Sequence, residues 1–399
     1  MGVIEVVFFY ILGLASPVSI ALINVGLVGL TLFFIARMVT GRWKPSRSAW
    51  LLVAFLAWNA LCILTSPYPR TAAGGLLKFW SWTAFFTATA LPAAVRKHLR
   101  GFSIMLACGV GVSAAAALVE FLTKYDWPEK VRHPHWMFGT VPASGFFSQH
   151  LTYGGVIIMA GLFLAARAVY GKGKRPWIWW AASAAACIGL AASMARTYFV
   201  AVFPSVAVLL WKRGKRLVFA AIIVLLLGGA VFAFWGPRGI KMRLQATVNF
   251  HNPSIAQRLY LWQSGWSMFT THPLFGWGPG TYPAASTPYK KPFEKRLSPR
   301  YRVPFMTLKH AHNLYLMMAI QSGFPGLLLF LLFIVSVLDA IRRNPDPVVR
   351  WGVLAALTAF LFGGLFEYNG GDAEVATFIF FLMGLAASYA PSKPAENSG

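Results

Sequence analysis

Long apolar runs separated by short polar ones make up most of this chain. Continuous apolar stretches lie at about 3–15, 18–37, 50–65, 75–94, 101–122, 151–170, 177–193, 197–211, 217–235, 324–341, 351–366 and 374–390. Most approach the roughly 20 residues a helix needs to cross a bilayer core. They do not alternate apolar with polar, which favours helices over a barrel. The pattern predicts an all-α, polytopic integral membrane protein of about 12 transmembrane helices with one large, partly helical outer loop. Ser16-Pro17 interrupts the first apolar stretch, which reads either as a tight hairpin or as one broken helix.

Two polar segments are longer than simple connections, 123–150 and 236–323. They divide the chain into nine spans over 1–235, a loop carrying the site over 236–323, and three spans with a short tail over 324–399. Within the large loop, Ser254 and Gln257 have the spacing of a capping box. Ile255, Leu259, Trp262, Trp266 and Phe269 then recur at helical spacing, predicting an amphipathic helix with that stripe packed against the membrane face or the core. The helix stops at His272-Pro273, GWGPG (276–280) reads as a turn, and 283–305 reads as a mobile loop rich in Lys, Arg and Pro.

Charge orients the bundle. Five short loops are dense in Lys and Arg: 37–47, 96–100, 167–175, 212–216 and 342–350. Counting twelve spans places all five on one side, the cytoplasmic side, together with both termini. No Lys or Arg precedes Arg37, so no cleaved signal peptide is expected. The net charge of +25 would point a soluble chain towards nucleic acid. Here it sits in connections between spans, charged residues are only 12% of the chain, and no nucleic-acid partner is expected. Cys62, Cys108 and Cys187 all lie in apolar runs without metal-ligand spacing.

The outer side carries the candidate chemistry. Residues 236–323 hold eleven Lys and Arg against one carboxylate, Glu294. Such a basic chamber suits an anionic substrate, phosphate above all; attraction to anionic lipid head groups is the alternative. Arg196 sits in a turn between two apolar runs with little room for a solvated loop, either as a functional cation or as an arginine snorkelling to lipid phosphate. Arg258 falls at the edge of the amphipathic stripe. His312 is placed on the apolar side of a helix with Leu316, Ala319 and Ile320. A neutral imidazole there could accept a proton from a sugar hydroxyl, and a protonated one could stabilise a leaving phosphate. Lys309, His310 and Asn313 flank it as candidate substrate-binding residues. His310-x-His312 lacks a third ligand at supportive spacing, so no metal is expected.

The stretch RLYLWQSGWSMFTTHPLFGWGPGTY (258–282), followed by HAHNLYLMMAIQSGFPG (310–326), resembles the signature of the O-antigen ligase family, which includes O-antigen polymerases and protein O-oligosaccharyltransferases. The resemblance implies a periplasmic site in the bacterial inner membrane. It implies an undecaprenyl-pyrophosphate-linked glycan as donor, a lipid A-core acceptor and no cofactor. It assigns His312 to the H-N motif, Arg258 to the loop arginine and Arg196 to the arginine between two mid-chain spans, all three catalytic. Where the family commonly carries an acidic residue, this chain has Gln321, so no carboxylate is expected to act there. Polymerase and protein-glycosylating activities stay open as alternatives. So does a different class, a membrane transporter with a basic vestibule.

Overall fold

A computed structural model describes residues 2–123, 141–235, 253–297 and 299–388, and within them every regular element is helical. The chain opens with α1 (Gly2–Ala15) and α2 (Ile20–Val39), joined by a turn at Ser16-Pro17 and packed along each other. The hairpin alternative therefore holds. Its open end is closed by a bidentate pair, with the Arg37 guanidinium donating to both oxygens of buried Glu5 at 2.5 Å and to Ala90 O at 2.9 Å.

Next come α3 (Arg47–Thr65), α4 (Pro69–Leu77), a 3-10 segment Lys78–Trp82, α5 (Thr83–Thr89) and α6 (Ala93–Arg96). The span expected at 75–94 is thus helical through a 3-10 segment as far as Thr89, with right-handed backbone at each junction. The 3-10 segment ends in buried Trp82, stacked 5.2 Å from Phe55 and 4.3 Å from Phe380. The series continues with α7 (Leu99–Thr123), α8 (His150–Tyr170), α9 (Pro176–Ser193), α10 (Arg196–Leu210) and α11 (Lys215–Trp235). α8 is the central post, buried along most of its length between α7, α9, α10 and the C-terminal helices.

The segment expected to be mobile is largely helical. α12 (Pro253–Thr271) is followed by α13 (Tyr282–Ala285), α14 (Thr287–Glu294) and α15 (Pro299–Thr307). The chain ends in α16 (Leu314–Arg343), α17 (Pro347–Gly363) and α18 (Ala373–Ala387). By length and apolar composition α2, α3, α7, α8, α9 and α16 can each cross a membrane, and α1, α17 and α18 are shorter apolar helices.

α12 packs on the protein through Leu261, Ser264, Gly265 and Met268; of the expected stripe, Ile255, Trp262 and Phe269 are half-buried, and Leu259 and Trp266 are 46% and 60% exposed. The small residues favour a close approach to α16. A Cβ at Gly265 would stand 2.9 Å from the end of the Leu316 side chain and 3.1 Å from that of Ile320, which would have to give way. The Ser254 side chain of the proposed capping box lies outside the described residues.

α16 starts ten residues earlier than its apolar run suggests and is broken at Gly323, where φ is 66° and ψ −173°. The break is a local consequence of sequence. Pro325 has no N–H to offer Gln321 O, and Phe324 N turns away to Pro273 O, 2.8 Å. The freed carbonyls find new donors. Trp277 N bonds Ile320 O (2.8 Å), Gly278 N bonds Gln321 O (2.9 Å), and Trp58 Nε1 bonds Ser322 O (2.8 Å). GWGPG is thus the plug that repairs a broken helix, through the Trp277 and Gly278 amides, while the Gly276 amide bonds His272 O within its own turn. A small second core of Met268, Tyr282, Ala285, Ala311, Met317 and Ile320 sits beneath it. Together they fix the start of α16, where the candidate residues lie.

Candidate active site

The site forms where the segment 308–313 meets the connection between α17 and α18. Asn313 is the N-cap of α16: its Oδ1 accepts from Leu316 N at 2.8 Å, and its Nδ2 donates to Leu365 O at 2.9 Å. Leu314 N bonds Gly364 O at 2.7 Å and the Tyr315 hydroxyl bonds Leu361 O at 2.9 Å. Both ends of the Asn313 amide are therefore engaged in tying the two segments together.

His312 precedes that cap, so the expected placement on a helix face with Leu316 and Ile320 is incorrect. Its position is set by a left-handed backbone, φ 49°, one of two such non-glycine residues among those described. That conformation is disfavoured for L-residues by roughly 1–2 kcal/mol. Trp262 of α12 helps hold it, with Nε1 donating to His312 O at 3.3 Å. The kink turns the imidazole across the chain towards a carboxylate that sequence reasoning passed over, Glu367.

Glu367 is almost completely buried, yet three basic side chains converge on it. His312 Nδ1 lies 2.8 Å from Oε1, close enough for a hydrogen bond though not ideally aligned. His310 Nδ1 lies 3.8 Å from the same oxygen, and an Arg258 terminal nitrogen 3.7 Å from Oε2. The two imidazoles are neighbours, ring centroids 4.3 Å apart. Burial alone would raise the Glu367 pKa, but His312, His310 and Arg258 outweigh it and hold the carboxyl at about 2. Glu367 is thus ionised throughout the physiological range. His310 is driven down to about 4, first by burial and then by the neighbouring His312, with Glu367 opposing. It is a neutral ring at neutral pH.

The loop bearing Glu367 is pinned from several sides. The Tyr368 hydroxyl accepts from Gln321 Nε2 at 3.1 Å, Asn369 Nδ2 donates to Phe360 O at 2.8 Å, and Trp82 Nε1 donates to Gly370 O at 3.3 Å. A second acid, Asp372, closes the loop and accepts from the Thr152 hydroxyl at 3.0 Å. Burial, followed by the charge on Glu367, raises the Asp372 carboxyl to about 8.

The expected residues therefore fare differently. His312, His310 and Arg258 share one carboxylate. Arg196 opens α10 half-buried, close enough to Arg258 for the two cations to repel one another. Lys309 is exposed on the chain leading into the cluster. Gln321 serves Tyr368, and the carboxylate beside the histidines belongs to the loop 364–372. Arg238, Lys241 and Arg243 lie outside the described residues. The sequence did carry one signal for Glu367: an acidic residue in a short outer connection that otherwise holds few charges.

His310, His312 and Glu367 each present one ligand atom within 4.8 Å of the others, so the third metal ligand that the sequence did not supply exists in space. Arg258 on the same carboxylate works against a divalent cation there, because it already supplies the balancing charge.

The chemistry open to the cluster follows from its donor inventory. A carboxylate can only accept, so the imidazole nitrogen facing Glu367 must carry the proton. That leaves the lone pair of His312 on Nε2. A histidine and a guanidinium thus share one carboxylate, with His312 and Glu367 on two facing segments and Arg258 on α12.

Residues 181–331 match the family model described as O-antigen ligase. No curated protein matches the chain. The matched range covers Arg196, Arg258, His310 and His312 and stops short of Glu367.

Proposed function

From its O-antigen ligase domain as premise, we propose that this multi-pass membrane protein transfers a glycan from undecaprenyl pyrophosphate to a hydroxyl of lipid A-core at the periplasmic face of the inner membrane. The observation that carries the reading is the contact between His312 and Glu367 with Arg258 on the far oxygen of the same carboxylate.

Glu367 holds the His312 proton on Nδ1 and steadies the positive charge that the ring gains during reaction, the role a buried acid plays for a histidine base. His312 Nε2 takes the proton of the acceptor hydroxyl as its oxygen attacks the anomeric carbon. The bond from that carbon to the pyrophosphate oxygen breaks with inversion. The electron pair leaves on undecaprenyl pyrophosphate, whose growing charge Arg258 and Arg196 bind. The chain's own side chains supply every group this sequence of events needs. The large basic segment before α16 would gather the anionic donor, and membrane lipids would surround the bundle with both termini in the cytoplasm.

Purified protein in lipid nanodiscs, supplied with a lipid-linked glycan and a panel of acceptors, tests the reading. Transfer to lipid A-core, abolished by His312→Ala in folded protein, is the expected result. Transfer only to another lipid-linked glycan would make the protein a polymerase, and transfer only to a polypeptide a protein glycosylating enzyme. Undiminished transfer by His312→Ala would remove the mechanism.

A further inference from the structure

Below the histidines lies a cation that the mechanism above does not use. Lys290 of α14 is 1% exposed. Its ammonium donates to Leu308 O at 2.7 Å and Met306 O at 3.2 Å, and lies 5.1 Å from the centre of the Tyr282 ring. Among the described residues it forms no salt bridge. A buried ammonium without a counter-ion is costly, and a methionine of similar length would fill the space without that cost. The charge therefore needs a reason beyond packing.

The carbonyls it binds supply one. Leu308 is two residues before His310, so the ammonium fastens the strand of chain that delivers both histidines.

We propose that Lys290 is a positioning residue for the histidine pair: its buried ammonium fixes the 306–308 carbonyls and through them the chain that delivers His310 and His312 to Glu367. The inference rests on the histidine-base reading of the site.

The test compares Lys290→Met, Lys290→Gln and Lys290→Arg in nanodiscs by two readouts. One is the steady-state kinetics of glycan transfer; the other is hydrogen–deuterium exchange of the backbone amides over 306–312. Met and Gln are expected to lower kcat about tenfold with donor KM little changed, as displacement of a catalytic group does. In both variants exchange over 306–312 should speed up, and Arg should restore both readouts. Unchanged exchange and kcat in Met and Gln overturn the proposal. So does loss of thermal stability in all three variants with kcat unchanged, which would make Lys290 a packing residue only. Faster exchange in protein that transfers glycan to no acceptor would retain the positioning inference and remove the proposed function.

Discussion

His312 Nδ1 and Glu367 Oε1 lie 2.8 Å apart although two helices, α16 and α17, separate them in sequence. The contact defines the state of the imidazole. An ionised carboxylate facing Nδ1 requires a proton there and leaves Nε2 to act as base. Glu367→Gln keeps the size and removes the charge, so the orienting and stabilising interaction is lost. We expect transfer to fall by about 10²–10⁴-fold, the usual range for general-base catalysis, with the fold intact by circular dichroism. Activity within twofold of wild type would show that the pair is structural.

Arg258 sits against the other oxygen of that carboxylate and is close enough to Arg196 for the two cations to repel one another. Neighbouring cations favour the binding of a phosphate. Arg258→Ala should cost about 10²–10³-fold in turnover. Arg258→Lys should lie between, because an ammonium cannot make the two parallel bonds of a guanidinium to phosphate. Steady-state kinetics with purified donor distinguish the three.

The left-handed backbone at His312 separates its structural cost from its chemical role. His312→Ala and His312→Gly should both be inactive. Glycine takes up φ 49° without the clash that alanine suffers. The Gly variant should therefore be more stable than the Ala variant by about 1 kcal/mol, read as a higher melting temperature in detergent. An Ala variant as stable as Gly would mean the kink relaxes when the side chain is removed.

Stability should depend on pH in two opposite ways. Glu367 is lowered from 4.5 to about 2 and His310 from 6.5 to about 4. For each the unfolded chain binds more protons inside that window, so stability is full above the unfolded value and is lost as pH falls through it. Asp372 is raised from 3.8 to about 8. Its contribution is present below the unfolded value and is lost as pH rises towards 8. Asp372→Asn keeps an acceptor for the Thr152 hydroxyl and cannot ionise. It should remove the loss on raising the pH towards 8 while leaving the acid loss in place, as followed by thermal melts from pH 2 to 9. An unchanged alkaline limb would exclude Asp372 as its source.

Gly323 carries the repaired break in α16. A side chain there would both strain the positive φ and collide with the backbone of Leu274. Gly323→Ala should destabilise by about 1–3 kcal/mol and lower activity by shifting the start of α16. Gly228→Ala in α11, where an added Cβ meets nothing within 4 Å, serves as the neutral control.

Much of this was written in the chain itself. Apolar runs determine that the protein is helical and membrane-embedded, since only helices or closed barrels satisfy the backbone in lipid. The H-A-H-N and loop-arginine motifs mark His310, His312 and Arg258 because their chemistry is unusual in an apolar chain. Three features depended on tertiary contact. The inner face of α12 is Leu261, Ser264, Gly265 and Met268, not the aromatic stripe itself, because Ser264 and Gly265 allow a closer packing than aromatics do. His312 turns towards Glu367 from a left-handed residue just before the α16 cap because Asn313, one residue on, is fastened to Leu365. Glu367 enters the site because α16 and α17 run back along each other and bring its loop to the histidines. Periodicity reports which face of one element is apolar. Only the packing of several elements decides which carboxylate faces a base, and that meeting turns a histidine in a loop into a candidate catalyst.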